Sequence, residues 1–312
     1  MIDWAKYWIS NAAIVNRVLS NTQLDFEEGH STSTGEIKAY PKKTKWNNWE
    51  FEVKSPTWLE IRGSLHKYWN SGTNENDFIF RNLFDAVVGI CEFLQVKPGD
   101  LTVHNLEFGV NIQPEINASK IIREAICFRN RVAINPYDNE TAYFTEYMTN
   151  EYYFKVYDKG LQARKLWKKE AGNVLRIEIK ARNSRFLQFA GIVTMADLLN
   201  QTNLLLLGRK LSNTLNTLVF DDDTININDL SIPDRKVYQL LSNPREWAKH
   251  RKGKTTTIRA KENRFRAIVA KYGKNKHRAS LGKLLRRKCM ELTYCSLGLK
   301  KEINNYLKKI NH

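Results

Sequence analysis

The chain has 312 residues, 42% of them hydrophobic, and includes 8 tryptophans, 13 tyrosines and 14 phenylalanines. This composition is enough for a sizeable core and excludes a largely disordered protein. The formal net charge is +17, and it lies in the last quarter, where residues 249–312 carry 20 lysines and arginines against three acids. A neutral body with a strongly basic end indicates that the protein binds a polyanion.

The apolar spacing predicts strands alternating with helices along the chain. In order, it predicts a helix over 1–20, a loop or hairpin over 27–40, strands at 49–53 and 58–62, a helix over 77–95, strands at 101–112 and 152–157, a helix over 162–169, a strand at 174–180, helices over 186–200 and 204–219, a loop at 221–223, and a helix over 233–241. This order predicts an α+β fold with a central antiparallel sheet and flanking helices. A boundary near Pro244 would separate a domain over 1–244 from a basic helical region over 245–312.

In the basic region, apolar residues alternate with lysines and arginines, as in helices that pack on one side. Phe265, Ile268 and Val269 have helical spacing, and so do Leu281, Leu284 and Leu285. The cations expected to contact nucleic acid are Lys249, Arg251, Lys252, Lys254, Arg259, Arg264, Arg266, Lys283, Arg286, Arg287 and Lys288. A helix-turn-helix and a basic arm that orders on binding fit equally well. A solubility tail and an acidic membrane surface are the competing interpretations.

Nothing in the sequence suggests a membrane or an oxidising compartment. The first 20 residues lack the layout of a secretory signal, and the apolar cluster at 204–207 is too short to span a bilayer. The four cysteines are scattered, as is usual for reduced thiols. We therefore expect a cytoplasmic protein with no membrane partner.

Three of the predicted strands each carry a carboxylate on their polar side. Glu60 alternates with Arg62, Glu178 alternates with Arg176, and Glu107 lies on the polar side of its own strand. An ordinary wet sheet face with cross-strand ion pairs explains this pattern. The alternative is a site for a hard divalent cation, which prefers oxygen ligands and polarises a phosphate.

Four segments in fixed order extend the pattern over residues 55–200. They are Gly63-Ser64-Leu65-His66-Lys67, Leu106-Glu107-Phe108-Gly109-Val110-Asn111, Phe154-Lys155-Val156-Tyr157-Asp158-Lys159-Gly160 and Leu175-Arg176-Ile177-Glu178-Ile179. Together they resemble replication initiators of the filamentous-phage and rolling-circle plasmid type. The resemblance implies a relaxase-like domain, with Mg²⁺ or Mn²⁺ and a tyrosine that cleaves one DNA strand and stays joined to the 5′ phosphate.

Carried over by position, the resemblance also implies roles for single residues. Glu107 and Glu178 would be metal ligands, and His66 would contact metal or phosphate unless it is a surface histidine at a helix start. Lys159 would lie near the scissile phosphate. The implied partners are origin DNA, single-stranded or locally melted, and a candidate host helicase.

The nucleophile is where this chain departs from the group. The helix after the Arg-x-Glu strand has phenylalanines and no tyrosine, so Tyr157 and Tyr238 are equal candidates. The leading hypothesis is a protein that nicks and rejoins an origin. The alternatives are a non-catalytic DNA-binding replication regulator on the same fold and an RNA-binding protein.

Overall fold

The computed structural model describes residues 1–30, 37–129, 131–133, 144–168, 170–249, 255–275 and 277–311. The chain divides into two compact units, each built from separate stretches of sequence. Unit 1 consists of Met1–Gly109, Lys180–Gly208 and Cys289–His312, and unit 2 consists of Val110–Ile179 and Arg209–Lys288. The predicted basic region therefore supplies residues to both units.

Strands and helices alternate along the described chain. The strands are β1 (Ile2–Ile9), β2 (Glu27–His30), β3 (Ile37–Trp46), β4 (Trp49–Ser55), β5 (Trp58–Ser64), β6 (Thr102–Ile112), β7 (Ala125–Phe128), β8 (Phe144–Met148), β9 (Tyr152–Asp158), β10 (Leu175–Ala181) and β11 (Leu218–Phe220). The α-helices are α1 (Ala12–Leu19), α2 (Leu65–Trp69), α3 (Phe80–Leu94), α4 (Ala118–Glu124), α5 (Lys159–Trp167), α6 (Gln201–Leu215), α7 (Ile232–Leu241), α8 (Pro244–Lys249), α9 (Thr255–Tyr272), α10 (His277–Leu292) and α11 (Leu297–Asn311).

These elements confirm the predicted fold class, in which helices flank a large antiparallel sheet. The strands at 49–53, 58–62, 101–112, 152–157 and 174–180 and the helix over 77–95 all form close to their predicted positions. Within the described residues, no helix is both long and apolar enough to cross a membrane.

In unit 1 the strands are hydrogen-bonded in the order β2-β3-β4-β5-β1-β6, and each neighbouring pair is antiparallel. Residues that lie opposite each other share a face, so Tyr7 and Phe51, both opposite Ile61, point with it into the core. Gly63 is required there because a Cβ at this position would lie 2.5 Å from the ring of buried Trp49. Helix α2 packs on β1, and α3 packs on α2.

The predicted helix over residues 1–20 is wrong in its first half, which forms strand β1. Ala5, Tyr7 and Ile9 are buried and alternate with the half-buried Trp4, Lys6 and Trp8. Large aromatic residues on both faces imitate helical spacing when they are counted together. Hydrogen bonding to β5 and β6 makes the segment a strand, in which every second side chain points to the same face.

The predicted helices over 186–200 and 204–219 are only partly correct. The first is replaced by two short 3₁₀ turns, Ser184–Ala190 and Met195–Leu199, with Gly191 in the left-handed region between them. The second ends at Leu215, and the chain then forms β11.

Unit 2 contains β8 paired with β9, β7 paired with β11, and β10 next to β9. Its main apolar cluster joins β7 and β11 to helices α7, α8 and α9. Trp247, Phe265 and Ile268 are almost fully buried in it, and the indole of Trp247 donates to the carbonyl of Leu241. Helix α9, which has the predicted pattern of basic residues with apolar residues on one side, is thus part of a folded core.

Candidate active site and nucleic-acid interface

The Tyr-Asp-Lys segment lies at the junction of β9 and α5 in unit 2. Asp158 is buried and caps α5, accepting hydrogen bonds from the backbone N–H of Leu161 and the hydroxyl of Ser119, both at 2.7 Å. The N–H of Lys159 donates to the carbonyl of Val174 at 2.8 Å, just before β10. These bonds fix the segment against the Arg-x-Glu strand.

Gly160 permits this close approach. A Cβ on Gly160 would lie 2.1 Å from the carbonyl oxygen of Gly172, a contact that the backbone would have to move to relieve. A residue with no side chain is therefore required where α5 begins.

Tyr157 and Glu178 meet at the centre of this cluster. The Tyr157 hydroxyl donates to Oε2 of Glu178 at 3.3 Å, and Nε of Arg176 donates to the same oxygen at 2.7 Å. The Arg176 guanidinium also reaches Oδ1 of Asn111 at 3.2 Å. All three main partners are buried, since Tyr157 is 5%, Arg176 3% and Glu178 7% exposed. At Arg176 and Glu178 the polar side of β10 is thus a buried network, whereas a wet sheet face is the ordinary expectation.

Two lysines lie close to the ring of Tyr157. The Nζ atom of Lys155 is 5.1 Å and that of Lys159 is 5.9 Å from the ring centroid. Cations at this distance are attracted by the ring and would favour negative charge developing on the phenol oxygen.

Tyr238, the other candidate nucleophile, lies in the apolar cluster of unit 2 and stacks on Phe265. Its hydroxyl donates to Oδ1 of Asp221 at 2.6 Å. Burial, followed by this hydrogen bond, raises the pKa of Tyr238 well above its ordinary value. The packing of its ring in this cluster, against Phe265, favours a structural role.

The other predicted metal ligands lie in unit 1. His66, on α2, is a buried histidine whose Nε2 is 2.7 Å from Oδ1 of Asn76 and whose ring stacks on Phe78. Glu107 is half-buried on β6, and its Oε2 is 3.9 Å from Nζ of Lys180. In the part of the chain that the structure describes, no three His, Cys, Asp or Glu side chains form a group that could hold a metal ion.

The predicted nucleic-acid contacts divide into surface and structural cations. Lys249, Arg259, Arg264, Lys283, Arg286 and Arg287 are exposed, and Arg266 and Lys288 are half-buried. Arg264 pairs with Asp234, and Lys249 pairs with Glu246. Arg266 donates to the carbonyls of Asn216 and Thr217, each at 3.0 Å. It therefore provides hydrogen-bond donors for backbone carbonyl oxygens that follow the end of α6. Arg251, Lys252 and Lys254 lie outside the described residues.

The structure also assembles a surface that the sequence analysis did not identify, on the polar face of the unit 1 sheet. We call it the tryptophan face, and its central residues are Trp4, Lys6, Trp8, Trp58, Glu60, Arg62 and His104. The signal is present in the sequence, because Trp4, Lys6 and Trp8 occupy alternate positions. Assigning a helix to this segment concealed it.

Glu60 is the electrostatic centre of the tryptophan face. It is 3% exposed, and its carboxylate lies 3.0 Å from Nζ of both Lys6 and Lys54 and accepts from Nε1 of Trp8 at 3.3 Å. Burial alone raises the pKa of Glu60, but the hydrogen bonds from Lys54 and Lys6 outweigh it and lower that pKa to about 2. Glu60 is therefore an ionised anchor for the cations around it.

Comparison with known proteins adds little to this geometry. No protein family matches the chain, and a search of characterised proteins finds no match. One solved structure with detectable similarity is described as "Structure of Rolling Circle Replication Initiator Protein from Geobacillus stearothermophilus". The similarity covers 70% of this chain and 84% of the other, at 8% identity and a TM-score of 0.38. Values this low assign neither a family nor an activity.

Proposed function

We propose that this protein binds origin DNA and nicks and rejoins one strand, with Tyr157 as the nucleophile. The observation that carries the proposal is the hydrogen bond from the Tyr157 hydroxyl to Glu178. A phenol that faces a carboxylate has a base in position to take its proton during attack. The same two residues belong to the motifs through which the sequence resembles replication initiators.

In the proposed step, the Tyr157 oxygen attacks the scissile phosphorus and the bond from phosphorus to the 3′ oxygen breaks. The phenol proton passes to Glu178 and then to the departing 3′ oxygen, so a 3′ hydroxyl and a 5′ phosphotyrosine result. Lys155 and Lys159 stabilise the negative charge that develops. The reverse reaction rejoins the strand, and neither direction needs an external energy source.

The predicted divalent ion, Mg²⁺ or Mn²⁺, stays part of the proposal as a requirement to be tested. Glu178 is already engaged by Arg176 and Tyr157, and the described residues offer no group of three ligands. Magnesium commonly binds through one or two carboxylates, with water and substrate phosphate as further ligands. The steps above are assigned to side chains alone.

The exposed cations of α9 and α10 supply the DNA contact. Arg259, Lys283, Arg286 and Arg287 project from helices whose opposite sides bury apolar residues. Exposed cations of this kind contact phosphates and release counterions, so the affinity for DNA should fall steeply with salt. A host helicase as a further partner follows only from the resemblance.

The test is incubation with labelled single-stranded DNA from the protein's replicon and Mn²⁺, followed by a denaturing gel. The wild-type protein should form a covalent adduct, and Tyr157→Phe should lose it while Tyr238→Phe retains it. Peptide mapping of the adduct identifies the nucleophile directly. An adduct on any other residue would contradict the assignment of Tyr157.

A non-catalytic DNA-binding regulator is the second candidate, and the burial of both tyrosines favours it. Tyr157 and Tyr238 are 5% and 6% exposed, and Arg176 already neutralises Glu178. In that case the protein would bind the same DNA and yield neither adduct nor cleavage. Cleavage without an adduct would instead indicate a nuclease that uses water.

A further inference from the structure

The tryptophan face combines aromatic rings with charge and lacks aliphatic side chains. Trp4 and Trp8 lie on one strand, roughly 13 Å apart, with Lys6 between them. Leu59, Ile61 and the other aliphatic residues of these strands point into the core. The interior of a protein–protein interface is depleted of charged residues, which this surface is not.

The rings of this face are held in place before any ligand binds. Trp8 stacks on His104 at a centroid distance of 3.6 Å and lies 4.9 Å from Trp58. Its indole N–H is fixed by Glu60. A shift in the register between β1 and β6 at Lys6 brings two successive residues of β6, His104 and Asn105, to half-buried positions. Rings already fixed in this way lose little conformational entropy on binding.

The charge of the face suits a polyanion. Along the face, six cations accompany five carboxylates: Lys6, Lys43, Lys45, Lys54, Arg62 and Lys180 against Glu27, Glu50, Glu52, Glu60 and Glu107. The Nζ atom of Lys180 lies 4.5 Å from the centroid of the Trp4 ring, so charge and aromatic surface are in contact. Ion pairs keep the lysines beside the rings, where they can meet phosphates.

A groove next to Trp4 extends this surface. Its volume is about 690 Å³, and its lining includes Trp4, Lys45, Arg62, Ser64 and Lys67. The turn from β3 to β4 forms one side of the groove, with Asn47 and Asn48 both at positive φ. Lysine, arginine and hydroxyl groups beside an aromatic ring suit the phosphates of a strand whose bases stack on the rings.

We propose that the tryptophan face binds single-stranded DNA, with bases stacked on Trp4, Trp8 and Trp58 and phosphates near Lys6, Lys45 and Lys67. The surface belongs to unit 1, whereas Tyr157 belongs to unit 2. The choice of DNA over RNA rests on the proposed function; the stacking of single strands rests on the face alone. Bound strand would be held here whether or not the protein cuts it.

The test is the fluorescence anisotropy of a 5′-labelled 15-mer of thymidine with the full chain in EDTA, where no metal-dependent nicking occurs. Trp4→Leu and Trp8→Leu should each weaken binding about 5-fold or more, because base stacking on an aromatic ring is lost. Trp8→Phe should retain most of the affinity. Trp69→Leu, which removes an exposed tryptophan of α2 whose ring lies beside Phe78, should leave binding unchanged.

Photocrosslinking of the wild-type chain removes any dependence on variant folding. A 15-mer containing 5-iodouracil should crosslink to peptides that contain Trp4, Trp8 or Trp58. Crosslinks confined to α9 and α10, or unchanged affinity of folded Trp4→Leu and Trp8→Leu, would overturn the proposal. Tighter binding of the matching RNA oligonucleotide would overturn the assignment to DNA. Because every binding step is in EDTA, an absent covalent adduct with Mn²⁺ would count against the proposed nicking reaction and not against this binding surface.

Discussion

Strand β5 of unit 1 and strand β10 of unit 2 carry nearly the same polar alternation, in environments that differ. Glu60-Ile61-Arg62 places a carboxylate and a guanidinium on one side of β5, and Arg176-Ile177-Glu178 does so on β10. The side chain of Arg62 is 36% exposed, whereas that of Arg176 is 4% exposed. In unit 1 the pattern forms part of a surface suited to binding, and in unit 2 it forms an internal network that orients a tyrosine.

The difference shows that alternation fixes which residues share a face and leaves the solvent exposure of that face undetermined. Exposure depends on which elements pack over the strand, and those come from distant parts of the sequence. Buried ion pairs are sensitive to the loss of one partner, whereas exposed pairs contribute little. Variants in the two units should therefore behave differently.

The largest expected effect is on the buried pair. Arg176→Met should lower the free energy of unfolding by about 3–5 kcal/mol, because Glu178 is left as an uncompensated buried charge. The matched change in unit 1, Arg62→Met, should cost about 0–1 kcal/mol. Urea denaturation of both variants measures the contrast. Equal losses would show that the two environments are energetically alike.

Two glycines allow a comparison of steric constraint. Gly160→Ala and Gly63→Ala should each destabilise the protein by about 1–3 kcal/mol, because their Cβ atoms would meet a carbonyl oxygen and a tryptophan ring. Gly172→Ala and Gly99→Ala are the controls, since a Cβ at either position meets nothing within 4 Å. Thermal unfolding of the four variants should separate them into two groups. A neutral Gly160→Ala would contradict the close packing of α5 before β10.

The stability of the protein in acid should report the buried, ion-paired carboxylate of Glu60. Because the folded pKa is about 2, below an ordinary value of 4.5, ionised Glu60 stabilises the folded state above pH 4.5. That contribution should be lost as the pH falls from about 4.5 to about 2, and we expect it to be on the order of 2 kcal/mol after solvent screening of the lysines.

The measurement is chemical denaturation of wild type and Glu60→Gln at a series of pH values. Glu60→Gln should show a smaller loss of stability across this interval than the wild type. Parallel wild-type and Glu60→Gln curves would mean that Glu60 has an ordinary pKa.

Much of the fold follows from local patterns, and the failures have identifiable causes. Strands β4, β5, β6, β9 and β10 form where predicted, because apolar residues recur at alternate positions over most of each segment. The helix prediction for residues 1–9 fails because bulky aromatic residues lie on both faces of the segment. Its strand conformation is determined by pairing with β5 and β6. Strand β7 has all four residues buried and therefore no alternation to detect.

The residues of the candidate site could be singled out from the sequence, but most of the contacts between them could not. The resemblance implied Glu178 as a metal ligand and Lys159 near the phosphate, with Tyr157 as one of two candidate nucleophiles. These roles stay predictions; the structure shows a hydrogen bond from Tyr157 to Glu178. The hydrogen bonds of Asp158 to Ser119 and of Arg176 to Asn111 connect distant segments, which spacing along one strand does not show. Arg266 has the sequence context of a DNA contact, yet its guanidinium serves backbone carbonyls.

The basic region thus contains structural cations, such as Arg266, as well as exposed ones. Replacing the exposed cations should have the smallest effect on folding. Replacing the exposed Lys283, Arg286 and Arg287 together with glutamine should change the free energy of unfolding by no more than about 0.5 kcal/mol. Each cation that contacts a phosphate contributes roughly 0.7–0.9 to the slope of log affinity against log salt. The triple variant should therefore show a slope shallower by about 2 to 3.

Arg266→Gln is the matched control from the same region and should behave in the opposite way. It should cost about 1–3 kcal/mol of stability, because carbonyls beyond α6 lose their donor, and should barely alter the salt slope. DNA titrations at several salt concentrations, paired with denaturation curves, measure both quantities. If the triple variant kept the full slope, the polyanion would be held elsewhere, and the tryptophan face would have to supply the phosphate contacts as well as the stacking.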